Sequence, residues 1–152
     1  LGTVRVINLM GVAFLEPIDN PFLRADALLA TEEAKFTIID FHAESTAEKK
    51  ALAFYLDGRV SAVFGTHTHV QTADGQVLPK GTGYLSDVGM TGPTVSVIGV
   101  EPALAVEKQM EHRMVHFKPA NGPMGLNAVL FTLDDDTGLC LEVRRVNEHR
   151  YG

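Results

Sequence analysis

The chain is predicted to fold as an α/β protein, and three observations carry that prediction. Apolar, β-type runs at residues 4–10, 36–41 and 60–65 alternate with two segments whose apolar residues fall at helical spacing. This strand–helix–strand–helix–strand order implies parallel pairing through crossover helices. The 152 residues, 45% hydrophobic and 21% charged, suffice for one ordinary domain with its own core.

In chain order, Val4–Met10 is the first strand, ended by Gly11. Pro17, Asp19, Asn20 and Pro21 make a turn-rich loop. Asn20 suits an N-cap and Pro21 a first turn, so a helix is expected over Phe22–Ala34, with Phe22, Ala25, Leu28 and Leu29 on one face. Phe36–Phe41 reads as a buried strand. Ser45-Thr46-Ala47-Glu48 matches a capping box and opens a helix to about Leu56, closed by Asp57-Gly58. Val60–Gly65 is the next strand. Residues 71–99 are then rich in Gly, Thr, Pro and Asp, with a short apolar piece at Tyr84-Leu85. Pro102 suits the start of a helix over Ala103–His112. Met114–Phe117, Leu126–Leu133 and Leu139–Val146 read as strands, the last two joined through Asp134–Gly138 as an antiparallel hairpin. No repeat or internal boundary divides residues 1–152, which are expected to form a single domain.

Composition excludes several function classes. No apolar run approaches the roughly 18 residues of a membrane-spanning helix, and the start shows no basic-then-apolar leader pattern. Cys140 is the sole cysteine, which rules out an intrachain disulfide and suits a reducing, cytoplasmic setting. A net charge of −6 disfavours a non-specific nucleic-acid binder but is compatible with a small phosphorylated ligand held by metal ions. The chain opens on Leu1, almost directly inside a strand, as a fragment or processed product would.

The chemistry concentrates in three histidines. His67 and His69 follow the strand that ends at Gly65, and on an extended backbone side chains at i and i+2 point to the same side. His42 follows the strand ending at Phe41. Both places lie past the C-terminal ends of predicted parallel strands, where open α/β sheets bind ligands. Neutral imidazole suits Zn, Fe, Mn or Ni, and Asp40, two residues before His42, suits a carboxylate that orients the ring. The alternative is a strand-end imidazole satisfied by backbone carbonyls. Glu44 is a candidate ligand or base, or else a solvated residue before a helix cap. Asp74 and Asp87 sit in loops flanking the His pair and are site candidates or ordinary turn residues. Thr91-Gly92-Pro93 is a substrate-facing loop or a turn. His112, His116 and His149 are dispersed and read as structural or surface groups, and Cys140 as core. Asp134–Asp136 does not fit an EF-hand loop. The chain contains no phosphate-binding Gly-x4-Gly-Lys-Ser/Thr loop and no Gly-x-Ser-x-Gly elbow.

Several separated stretches occur in an order shared with one family. They are Asp19-Asn-Pro-Phe22, Asp40-Phe-His-Ala-Glu-Ser-Thr-Ala-Glu-Lys49, Gly65-Thr-His-Thr-His-Val-Gln-Thr-Ala-Asp74, Leu78-Pro-Lys-Gly-Thr82 and Ser86-Asp-Val-Gly-Met-Thr-Gly-Pro93. In these the chain resembles the YmdB-like, calcineurin-type metallophosphoesterases of bacteria. The resemblance implies the C-terminal portion of a two-sheet α/β sandwich. It also implies a phosphodiesterase acting on 2′,3′-cyclic and 3′,5′-cyclic nucleotides through two metal ions, iron or manganese. By motif, His42 and His67 would ligate one ion and His69 the other. Such ions sit about 3.5–4 Å apart and clamp the attacking and leaving oxygens of an in-line displacement.

The family's remaining ligands, an Asp after its first strand, a Glu-Asn pair and an Asn-His pair, come from an N-terminal half with no counterpart here. Without the bridging carboxylate two cations repel; even at an effective dielectric of about 20 the cost for unit charges is several kcal/mol. The chain alone is therefore expected to hold at most one ion and to show little or no turnover. The exposed face of a half-sandwich would be completed by another polypeptide, by residues outside this sequence, or by self-association. Two other readings stay open: a non-catalytic metal-binding or scaffold remnant, and a nucleotidase or other phosphomonoesterase on the same metal chemistry.

Overall fold

The computed structural model describes residues 2–16, 19–31 and 34–150. Pro17 of the expected loop and residues 32–33 of the expected first helix lie outside the described residues. The elements run β1 (Val4–Met10), α1 (Pro21–Leu29), β2 (Phe36–His42), α2 (Thr46–Tyr55), β3 (Ala62–Thr66), β4 (Gln76–Val77), β5 (Gly83–Leu85), β6 (Gly92–Pro93), α3 (Pro102–Glu111), β7 (Met124–Leu133) and β8 (Cys140–Arg150).

Two sheets result, as the α/β reading requires. The first has the order β1-β2-β3-β5-β4, with β1, β2, β3 and β5 parallel and β4 antiparallel at one edge. The second is the antiparallel set β6-β7-β8. Alternation on β1 and β2 sends Ile7, Leu9, Ile39 and Phe41 to one face, where they pack with Ala25 of α1 and Leu52 and Ala53 of α2. The opposite face carries Val4, Val6, Asn8 and Met10 in register with Phe36, Ile38, Asp40 and His42. Strand β8 packs against β4 and β5. Val4 and Val6, on the outer strand, stay 55% and 64% exposed. One side chain ties the layers together: the Gln71 amide nitrogen shares its protons among the carbonyls of Val88, Ala128 on β7 and Val146 on β8, at 3.0–3.3 Å.

The capping signals hold at both early helices. Asn20 Oδ1 accepts from the Phe22 amide, and Ser45 Oγ accepts from the Glu48 amide. Glu48 does not close the box, however. Its carboxylate accepts instead from the Val12 and Ala13 amides, fixing the loop after β1. Helix α1 ends at Leu29 rather than Ala34, because the Thr31 hydroxyl and amide both donate to the Leu28 carbonyl and close the last turn. Met114–Phe117 is not a strand. β7 already has β6 and β8 on its two sides, and Phe117 packs under Lys108 of α3, whose ammonium lies 4.8 Å from the ring centre. Among the described residues no helix is long and apolar enough to cross a membrane.

Candidate metal centre

Parallel register brings the C-terminal ends of β1, β2 and β3 together, pairing Asn8 with Asp40 and His42 with Thr66. A continuous chain of polar side chains follows. Asn8 Nδ2 donates to Asp40 Oδ2 at 3.0 Å, and Thr66 Oγ1 lies 3.4 Å from Asp40 Oδ1 and 3.1 Å from His42 Nδ1. His42 Nε2 faces His67 Nδ1 at 3.1 Å, and His67 Nε2 reaches Glu44 Oε2 at 2.6 Å.

The donors and acceptors narrow the proton positions. A carboxylate only accepts, so His67 Nε2 carries hydrogen, and only a neutral ring would present a lone pair at Nδ1. Two arrangements then satisfy the rest. In one, His42 Nε2 donates to His67 and the Thr66 hydroxyl donates to His42 Nδ1. In the other, Thr66 donates to Asp40 and accepts from His42 Nδ1, so two lone pairs meet, an arrangement that would need a cation between them. The 3.1 Å spacing suits both states: it is an ordinary hydrogen-bond length and also the separation of two nitrogens on one ion. Metal–imidazole bonds of about 2.0–2.1 Å put two ligand nitrogens roughly 2.9–3.4 Å apart. Each ring then has its far nitrogen on a carboxylate, Glu44 directly and Asp40 through Thr66, the outer support that fixes a ligating imidazole.

His69 stands apart. The i, i+2 rule of an extended backbone does not apply to His67 and His69, because β3 ends at Thr66 and both histidines follow it in left-handed conformations, φ 120° and 65°. The convergent pair is His42 with His67. His69 Nδ1 lies 3.1 Å from the Ile98 carbonyl and must donate to it, which leaves the lone pair at Nε2. The carbonyl-satisfied reading thus describes one nitrogen of His69, while the other stays available. Among the described residues no three His, Cys, Asp or Glu side chains form a ready metal-binding group.

Positive φ at a non-glycine residue costs about 1–3 kcal/mol and persists only where the surroundings enforce it. Here the enforcement is a buried ion pair. Lys49 Nζ meets Asp87 Oδ2 at 2.9 Å, with the two side chains 2% and 1% exposed. The same carboxylate accepts from the Thr68 amide, between the two histidines, and from the Gly89 amide. Burial pushes the Asp87 carboxyl up, but these bonds from Lys49, Thr68 and Gly89 outweigh it and hold it below its usual 3.8. Asp74 is likewise pushed up by burial and brought below its usual value by bonds from Ser86 and Thr72. Ser86 Oγ donates to it at 2.5 Å. Both loop aspartates are thus engaged outside the imidazole cluster, Asp87 with Lys49 and the Thr68 amide and Asp74 with Ser86. Gly92-Pro93 forms β6 against β7, so it is a sheet element rather than a loop.

Sequence reasoning missed Thr66, Asn8 and Lys49. The signal for Lys49 was present: Lys49, Leu52, Ala53 and Leu56 share the i, i+3, i+4, i+7 stripe of α2, which places the lysine on the buried face. Thr66 could be found only through strand register. Replacing it tests its role. Thr66→Val removes the hydroxyl at constant shape and should weaken Mn(II) binding, measured by titration calorimetry, about 10- to 100-fold, while Thr66→Ser should stay near the parent.

Comparison with known proteins places this chain in a family. The family model described as YmdB-like protein matches residues 2–146. A Bacillus subtilis (strain 168) protein named 2′,3′-cyclic-nucleotide 2′-phosphodiesterase is 50% identical over 146 residues, covering 94% of this chain and 55% of that protein. The crystal structure of a hypothetical protein from Thermus thermophilus superposes with a TM-score of 0.92 at 40% identity, covering 96% of this chain and 57% of that one. The crystal structure of a protein described as a novel phosphatase, from Mycoplasma pneumoniae, gives 0.91 at 36% identity, covering 97% and 54%. The chain thus spans about half the length of the relatives it matches. With nearly all of its residues inside the family model and the same fold in both solved relatives, the chain belongs to the YmdB-like protein family.

Proposed function

We propose that this chain supplies the imidazole side of a dinuclear metal centre that hydrolyses cyclic nucleotides, of the 2′,3′- or 3′,5′-cyclic type. The observation that carries the reading is the His42 Nε2–His67 Nδ1 pair at 3.1 Å, each ring backed by a carboxylate. The name of the Bacillus subtilis relative supports the 2′,3′-cyclic class. His42 and His67 would hold one ion, iron or manganese, and His69 would offer Nε2 to the second. When bound, the ions would supply hydroxide at neutral pH from a metal-held water and charge stabilisation for an in-line displacement. Glu44 and the Asp40–Thr66 pair keep the rings aimed and raise their basicity. Lys49 and Asp87 hold the backbone that carries His67 and His69. The bridging carboxylate comes from residues outside these 152. Asn8, Asp40 and His42 lie on the open face of β1 and β2, the face such residues would approach.

The experiment combines metal analysis with rates. The chain loaded with Mn(II) or Fe(II) should bind about one ion, lose it in His67→Ala, and turn over 2′,3′-cyclic AMP and bis-p-nitrophenyl phosphate slowly or not at all. Failure to bind either metal would sink the imidazole centre. Robust turnover by the chain alone, abolished by His67→Ala, would show that no outside carboxylate is needed. The Mycoplasma pneumoniae relative, described as a phosphatase, favours a second, phosphomonoesterase reading. A higher rate on p-nitrophenyl phosphate than on the diesters, measured in a chain restored to the length of its relatives, would select it.

A further inference from the structure

Ile98 is an exposed residue in the wrong conformation for its type. Residues 97–100 close a tight turn, with mutual backbone hydrogen bonds between Val97 and Val100 of 2.9 and 3.0 Å. Its central residues, Ile98 and Gly99, have φ of 46° and 99°. Two left-handed central residues define the type I′ turn, whose natural pair is Asn-Gly. A β-branched residue at the first of these positions is a true outlier. Core packing does not explain the choice, because Ile98 is 51% exposed.

Ile98 serves two places at once. Its carbonyl accepts the His69 Nδ1 proton, so the turn is attached to the candidate centre. It also lines a cavity of about 330 Å³ together with Val100, Met110 of α3 and Phe117, with Lys108 among the lining residues. That volume lies in the range of small-molecule sites, and its apolar walls suit a flat heterocycle better than a phosphate or a sugar. The Phe117 ring is 47% exposed and carries the Lys108 ammonium 4.8 Å from its centre, so a base would stack there beside or in place of that side chain, a contact of the kind that holds bases without reading their sequence.

We propose that this cavity is the base subsite for the nucleotide whose phosphate ester is cleaved beside His69, with Ile98 and Phe117 as its two jaws. The inference rests on the cyclic-nucleotide reading above and adds where the base sits. It also accounts for isoleucine where a turn would favour asparagine: the side chain is kept for its contact with substrate, against the preference of the backbone.

Binding of nucleosides, which carry a base but no phosphate, tests the subsite without calling on metal or turnover. Adenosine, guanosine, uridine and cytidine titrated into the 15N,13C-labelled chain should shift the Ile98, Met110 and Phe117 signals, and ribose 2′,3′-cyclic phosphate, which has no base, should not. Ile98→Asn should keep or raise the melting temperature, since it relieves the turn and leaves the backbone carbonyl on His69. It should nevertheless weaken nucleoside binding, and Phe117→Leu should weaken it roughly 5- to 150-fold, the range for loss of one base–aromatic stack. Unchanged nucleoside affinity in both variants would overturn the proposal. So would signals at these residues that respond to protein concentration and not to any nucleoside, which would assign the face to self-association. Loss of metal binding or of hydrolysis with nucleoside binding intact would instead count against the proposed function alone.

Discussion

Lys49→Met is expected to cost the fold about 3–5 kcal/mol, measured by denaturant unfolding, because it strands a carboxylate that is 1% exposed. The methionine fits the same stripe of α2, so the loss reports the missing charge rather than a cavity. Asp87→Asn tests the other side, leaving the lysine ammonium buried without its counter-charge. The double variant Lys49→Met/Asp87→Asn removes both charges and keeps an amide oxygen to accept the Thr68 amide. It should recover part of the loss, and the double-mutant cycle gives the coupling. The pH dependence has a fixed sign. Asp87 is held below its usual 3.8 in the folded state. Its contribution is therefore fully present above that value and is lost as pH falls through the lower folded value. Lys49→Met, which removes the first of the bonds that hold the carboxyl down, should flatten that acid limb. A variant with parental stability and an unchanged acid limb would refute the role of the pair.

Gly65→Ala is the second large effect. An added Cβ would sit 1.8 Å from the Ser86 carbonyl oxygen and 2.8 Å from Lys49 Cδ. The first neighbour is backbone and cannot turn aside, so β3 and the Ser86–Val88 segment must part. Overpacking costs typically 1–3 kcal/mol, and this site should lie at or above about 3 kcal/mol. The displaced segment carries Asp87 and donates the Val88 amide to the Gly65 carbonyl at 2.9 Å, so the His67–His69 turn should loosen with it. Calorimetric unfolding together with Mn(II) affinity checks this: both should fall. A drop in stability with full metal affinity would separate the turn from the clamp.

Much of this fold could be read in the sequence because its early half follows local rules. Asn20 and Ser45 cap the helices they were expected to cap, and the alternation of β1 and β2 fixes which face is buried. The failures came where distant partners override local pattern. Glu48 has the spacing of a capping box but turns its carboxylate to the loop after β1. Met114–Phe117 has strand-like composition, yet Phe117 is engaged with α3. At the site, the residue types were legible and the grouping was not. Spacing of i, i+2 pairs His67 with His69 only on an extended backbone. The backbone leaves the extended conformation at Thr66, so strand register joins His67 to His42 instead. Thr66 and Asn8 carry no local mark, since their roles exist only across neighbouring strands.

The Gln71 amide has a consequence for how the molecule opens. One nitrogen serves carbonyls on the loop after Asp87 and on both arms of the C-terminal hairpin. The hairpin cannot peel away without breaking contacts with the segment that supports the histidines, and that segment cannot fray without freeing two carbonyls in the second sheet. The two layers therefore belong to one cooperative unit of local unfolding, so the stability of the hairpin, far from the imidazoles in sequence, sets how often their scaffold comes apart.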